Sequence, residues 1–140
     1  MSSDKIKTES NYPEVGQLLQ PTCIEKTHRD LAISKGVIYY FVSDDDLLEI
    51  NKQSLNHDYY TDIITFDYSD DDDIEDHEIV ISWDRVKENA VEYNEPVLRE
   101  LHRVCIHGLL HIAGYKDDTS QAKQKMRSLE NHYLALHCST

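Results

Sequence analysis

Positive charge is what this 140-residue sequence has least of: 14 Lys and Arg stand against 27 Asp and Glu, a formal charge of −13. The shortfall is uneven. Residues 1–80 carry 6 basic against 19 acidic side chains, whereas residues 81–140 carry 8 of each. A chain so acidic gains little from the counterion release that drives non-specific binding to nucleic acid, which counts against a free-standing nucleic-acid binder. No apolar run is long enough to span a membrane. The start, Met1 to Lys7, lacks the apolar segment of a secretory signal, so the cytoplasm is the expected compartment. Cysteine is sparse too. Cys23, Cys105 and Cys138 lie far apart with no CxxC pair, and they read as free thiols in a reducing compartment, with Cys105 a plain core residue.

What remains is an ordinary globular composition, 39% hydrophobic and 29% charged, enough for one domain over residues 1–140 with a real core. No internal repeat is present. The low-complexity piece is the acidic run Ser69–Asp73. The stretch Asp70–Asp76 is most simply a solvated loop, with a weak Mg²⁺ or Ca²⁺ site as the alternative, although no EF-hand pattern surrounds it. Roughly the first ten residues are polar and are expected to fray.

The chain's punctuation gives a coarse layout. A short helix is expected over Glu25–Lys35, closed by Gly36. Val37–Val42, Asp62–Tyr68 and Glu78–Ser82 are rich in β-branched and aromatic residues and read as strands. Between the first two, Ser43 followed by three aspartates marks a helix start, since a hydroxyl and first-turn carboxylates satisfy free amides and the dipole. After Trp83 the pattern turns helical. Val86, Ala90 and Tyr93 share a face, and Pro96 opens a helix that runs to the stop at Gly114. A last helix begins near Asp118, with Gln121 in capping-box position and an inner stripe of Ala122, Met126, Leu129, Tyr133 and Leu136. Strands first and helices later give an α+β fold, a small mixed β-sheet packed against helices.

Chemistry concentrates in one segment, His107 to Asp118. Residues 97–113 are apolar on nearly all sides, the mark of a buried helix. Two histidines four apart, His107 and His111, place both imidazoles on one face about one turn apart. Their ring nitrogens can then converge on one ion at about 2.0–2.1 Å. Gly114 ends the helix and lets the chain turn back, so that Asp117 can bring a carboxylate to the same ion. Two imidazoles, a carboxylate and an open position make a catalytic site, at which zinc brings the pKa of its water towards about 7. The alternative is that each histidine satisfies itself on a carbonyl or water and Asp117 caps a turn. Zinc peptidases of the HExxH type carry their general base directly after the first histidine. Gly108 stands there, so a peptidase on this helix would lack its base. A glycine inside a helix costs about 1 kcal/mol against alanine, and one reason to keep it is something passing close to the helix backbone.

At this point the sequence resembles the YbeY family, whose zinc motif has the form H-G-x-L-H-L-x-G-Y-D-H. The chain reads His107-Gly108-Leu109-Leu110-His111-Ile112-Ala113-Gly114-Tyr115-Lys116-Asp117, with the spacing preserved. Thr61–Phe66 is similar to the family's T-D-V-L-S-F strand and Glu78–Ser82 to its G-D-I-x-I-S strand, while Met126 and Glu130 fall on its M-x-x-x-E. The likeness extends over about residues 37–136. It implies an α+β fold with one zinc ion per chain, or another divalent transition ion, held by His107, His111 and Asp117. It also implies cleavage of single-stranded RNA in maturing the 3′ end of small-subunit rRNA and in ribosome quality control, with the ribosomal small subunit or its proteins as partners.

Three positions depart from the family pattern. Asp117 replaces a histidine, Leu55 stands where an arginine is usual, and His77-Glu78 replaces Gly-Asp. An arginine suits phosphate binding. Arg103 and Arg99, one and two turns before His107, are the candidates to replace it, each with an ordinary helix-surface role as the alternative. Besides the endoribonuclease, two further functions stay open: a ribosome-associated assembly factor whose metal is mainly structural, which the acidic half and Leu55 suit, and a metal-dependent hydrolase of another substrate. His28, His57, His77, His102, His132 and His137 are expected in local hydrogen-bonding roles, with His57 or His77 able to approach the cleft.

Overall fold

The computed structural model describes residues 5–140. Its ten elements are β1 (Ile6–Ser10), α1 (Pro13–Leu18), α2 (Pro21–Asp30), β2 (Gly36–Val42), α3 (Asp44–Leu55), β3 (Ile63–Phe66), β4 (Asp76–Ser82), α4 (Trp83–Glu92), α5 (Val97–Ile112) and α6 (Ser120–His137). The four strands form one mixed sheet in the order β1-β2-β4-β3. β2 runs parallel to both β1 and β4, and β3 is antiparallel to β4. The fold is α+β, as the sequence pattern implies.

Period-two alternation divides the strands between two cores. Val37, Tyr39, Phe41, Ile79 and Ile81 join the main core beneath α5, with Trp83, Leu101, Ile106, Leu109 and Leu110. The intervening Tyr40, Val42, Ile64, Val80 and Phe66 face the other way and pack with Leu47 and Ile50 of α3. Helix α5 is thus enclosed by the sheet, α2, α4 and α6, which is why most of its positions are buried, the polar Glu100, His102 and Arg103 included. The buried Tyr39 hydroxyl donates to the Cys105 carbonyl at 2.8 Å and ties the sheet to that helix.

Gly108 is where the sheet comes closest. A Cβ there would lie 2.7 Å from Ile79 Cδ1 and 3.3 Å from Ile63 Cδ1, so the glycine lets α5 sit down on β3 and β4. The close approach expected from the sequence is the sheet itself.

Capping follows the expected chemistry at three helices. The hydroxyls of Ser43, Ser82 and Thr119 accept from the backbone N–H of Asp46, Arg85 and Ala122 at the starts of α3, α4 and α6. The cap of α6 is therefore Thr119, one residue beyond the expected Asp118. Of the expected inner stripe, Met126, Leu129 and Tyr133 pack on the core, whereas Leu136 is exposed. Glu130 and Leu134 are buried beside them, so the inward face also takes in a carboxylate that an apolar pattern passes over.

Other corrections concern the N-terminal part and the cysteines. Of the ten residues expected to fray, 1–4 lie outside the described residues, and Ile6–Ser10 forms β1. Only Ile6 of that strand packs inward. It forms by backbone pairing along the otherwise open edge of β2, which leaves no apolar alternation to read. The helix expected over Glu25–Lys35 lies at Pro21–Asp30, with a short helix, α1, before it. Cys23 and Cys138 are not free thiols. They are joined in a disulfide, Cα–Cα 5.0 Å, where the end of α6 meets α2. A sequence separation of 115 gave no hint of the pairing. Cys105 is free and buried as expected.

Candidate metal centre

His107 and His111 project from the last turns of α5 with ring centroids 4.7 Å apart. The helix closes with the N–H of Gly114 on the His111 carbonyl and the N–H of Tyr115 on the Leu110 carbonyl, both at 3.0 Å. Gly114 has φ +104°, a conformation natural to glycine, and this reversal returns the chain over the two rings. Asp117 Oδ2 then lies 3.3 Å from the Nε2 of His107 and 3.3 Å from the Nε2 of His111. Two donors bound at tetrahedral angles to one ion at about 2.0–2.1 Å stand about 3.3 Å apart. The three side chains therefore present their donor atoms at the spacing of a shared ion, all within 4.8 Å of one another. All three are half-buried, so a fourth position can be reached from solvent.

The orientation of His107 is fixed from behind. Its Nδ1–H donates to Glu130 Oε2 at 2.7 Å, which leaves Nε2 as the free donor facing Asp117. Glu130 is buried in α6, and its other oxygen accepts from Arg103 Nη1 at 3.2 Å. The same Arg103 nitrogen donates to Asn131 Oδ1 at 2.9 Å. Burial alone would lower the pKa of His107, but the Glu130 hydrogen bond and charge, with Asp117 and Asp62 behind them, outweigh it and raise it. Asp62, just before β3, is shifted up by desolvation, against the attraction of His107.

Two open hollows meet at this point. One, of about 480 Å³, has Glu100, Arg103, Lys123, Arg127 and Glu130 in its walls. The other, of about 370 Å³, has Leu55, His57, Tyr59, Thr61 and His111 in its walls. His107, Asp117 and Asp62 line both.

Among the remaining candidates, Arg103 is buried against Glu130 and Asn131 rather than extended into solvent. Arg99 points away, paired with Glu95 at 3.4 Å and bonded to Thr140. His57 reaches the second hollow, whereas His77 is enclosed under the Asp67–Tyr68 turn, its Nδ1 accepting from the Tyr68 N–H at 3.0 Å. His102 is buried and local, accepting from the Gln20 N–H at 2.9 Å. The residue whose role the sequence did not disclose is Glu130. It was visible only as part of a matching pattern, and a buried glutamate on a helix otherwise facing the core is the signal that marks it.

Fold and site together define an α+β domain built around a buried helix that presents a His-His-Asp centre able to hold a metal ion. The chain belongs to the YbeY family: the family model, described as Endoribonuclease YbeY, matches residues 2–137. Curated relatives agree with this. The protein named Endoribonuclease YbeY from Phocaeicola vulgatus is 50% identical over 100 residues, covering 71% of this chain and 72% of its own. Its namesake from Flavobacterium psychrophilum is 51% identical over 104 residues, 74% of each chain. Among solved structures, the solution structure of TM1509 from Thermotoga maritima superposes with a TM-score of 0.64 at 28% identity, covering 94% of this chain and 90% of that one. No helix of the described residues is long and apolar enough to cross a membrane.

Proposed function

We propose that this protein is a metal-dependent endoribonuclease of single-stranded RNA, with one zinc ion held by His107, His111 and Asp117. Its task is maturation of the 3′ end of small-subunit rRNA in the cytoplasm, in contact with the ribosomal small subunit. The observation that carries the reading is the pair of 3.3 Å separations from Asp117 Oδ2 to the two imidazole nitrogens, backed by Glu130 on the far side of His107. Curated relatives of half-identical sequence bear the name endoribonuclease, which weighs against a mainly structural metal.

When bound, zinc supplies Lewis-acid chemistry at the phosphate and an acidified water. The chain's own residues do the rest. Glu130 holds His107 in the tautomer that offers Nε2. Asp62, a carboxylate that lines both hollows together with His107 and Asp117, would take up or return a proton at the scissile phosphate. Lys123 and Arg127 are the cations exposed in the larger hollow's walls, and they meet the RNA backbone in place of the arginine that Leu55 replaces. Arg103, buried against Glu130 and Asn131, holds the carboxylate that orients His107 instead of meeting the RNA itself.

The test is cleavage of a labelled single-stranded RNA by purified protein, with and without chelator, beside Asp117→Asn. Zinc-restored cleavage that the variant lacks is the expected outcome. RNA left intact by zinc-loaded wild-type protein contradicts the reading. Co-sedimentation with small subunits in the absence of any turnover would favour the assembly-factor alternative instead.

A further inference from the structure

The smaller hollow raises a difficulty for any RNA-binding site. It contains both histidines and Asp117, yet no lysine or arginine lines it, and Asp62 and Asp117 add negative charge. A phosphate backbone finds no cation on that side. What the hollow offers instead is an exposed pair of rings. His57 and Tyr59 stack on each other with centroids 5.1 Å apart and planes 21° from parallel, and Tyr59 is 55% exposed.

The pair is held in place rather than hanging free. Asn56, in the left-handed conformation at φ 56°, turns the chain out of α3. The buried Asn51 then fixes the loop at two points, its carbonyl accepting from the His57 N–H at 3.1 Å and its side-chain amide donating to the Tyr59 carbonyl at 2.9 Å. The Tyr59 hydroxyl lies 3.0 Å from His57 Nδ1, locking the two rings together. The neighbouring Tyr60 is used differently, bonded to Asp45 and covered by the Arg85 guanidinium. Two near-parallel stacked rings, each with its outer face turned from the other, are preset by a buried amide, open onto a hydrolytic centre and form a stacking surface for a planar ligand.

We propose that His57 and Tyr59 are a nucleobase-stacking subsite, which seats one unpaired base of the RNA on the cation-free side of the metal centre. The proposal rests on the nuclease reading for its ligand and adds how that ligand is gripped. Stacking needs no charge on the protein, so it accounts for RNA engagement by a chain of charge −13. It also selects single strands, because the bases of a duplex are already stacked on one another. The hollow's Leu55, where the family usually has arginine, fits the same trade of charge for apolar contact.

The experiment is a binding titration by fluorescence anisotropy. Labelled single-stranded oligoadenylate is added to chelator-treated full-length protein, as wild type, Tyr59→Ala, His57→Ala and Tyr59→Phe. Removing the tyrosine ring is expected to weaken binding about tenfold, near the lower end of what one lost base–aromatic stack costs. Phenylalanine at 59 retains affinity. An oligomer of abasic residues binds wild type about tenfold more weakly, and Tyr59→Ala adds nothing further to that loss, since both remove the same contact. Unchanged affinity in both alanine variants overturns the proposal, as does an abasic strand that binds as well as oligoadenylate, or wild type that fails to bind. Cleavage by zinc-loaded protein is read separately: wild type that binds through Tyr59 without cleaving would contradict the nuclease reading alone.

Discussion

Glu130 is the single residue on which the geometry of the centre turns, because it sets the tautomer and the aim of His107. Glu130→Gln keeps the shape but removes the charge, and it is expected to weaken zinc affinity about 10- to 100-fold, read by competition with a chromogenic chelator. A metal affinity unchanged in that variant would mean the contact does not orient the ligand. The direction of the His107 shift adds a pH signature. Because the neighbouring carboxylates raise its pKa over the opposing effect of burial, protons compete with the ion from a higher pH than for an ordinary histidine, and affinity should fall correspondingly early on acidification. Glu100 gives a stability signature of its own. Burial pushes it up to about 7 from an ordinary 4.5, against the pull of Arg103. Its folded pKa exceeds its unfolded one, so its contribution to stability is complete below about 4.5 and is lost as pH rises through about 7. Glu100→Gln should therefore flatten the decline in unfolding midpoint across that window. A wild-type midpoint that rises over the same interval, with no change in the variant, would contradict this placement.

At the scale of elements, α5 and its seat on the sheet decide where the histidines stand. Gly108→Ala gains helix propensity but drives a methyl to 2.7 Å from Ile79 Cδ1. The expected net loss is about 1 kcal/mol, the balance of overpacking against propensity. Ile79→Val removes the atom in the way, so the double variant should be more stable than additivity of the single changes allows, as urea unfolding would show. The disulfide makes the other prediction here. Thiol titration of the denatured, unreduced protein should find Cys105 alone, and Cys138→Ser should cost about 2–4 kcal/mol. Three reactive thiols in protein prepared without reductant would restore the reading of them as free.

How much of this was legible follows from which physical signals are local. Ser43, Gly114 and the paired histidines act within a turn or two of themselves, so their spacing already declared the α3 cap, the end of α5 and the convergence on Asp117. Gly108 announced a close approach without naming Ile79. β1 stayed hidden because its strand exists by pairing with β2, not by any alternation of its own. Cys23 and Cys138, and Glu130 and Arg103, depend on elements distant in sequence meeting in space, for which no spacing rule exists. The His57–Tyr59 stack is local, but a loop has no fixed side-chain period from which two rings face to face could be read.

For the whole molecule, the charge distribution and the site belong together. The excess acid of residues 1–80 would repel a polyanion, and the exposed cations Lys123 and Arg127 flank the centre only on the side of the larger hollow. Binding of RNA should therefore depend on salt more weakly than for a protein that lines its groove with arginine, and the remaining dependence should fall further in Lys123→Ala/Arg127→Ala. Whether His107, His111 and Asp117 hold an ion is tested by elemental analysis of the purified protein beside His107→Ala/His111→Ala. About one zinc or other transition ion per chain in the wild type, lost in the double variant while its fold persists by circular dichroism, is the expected result. Wild-type protein that retains no metal after loading with zinc would contradict the account.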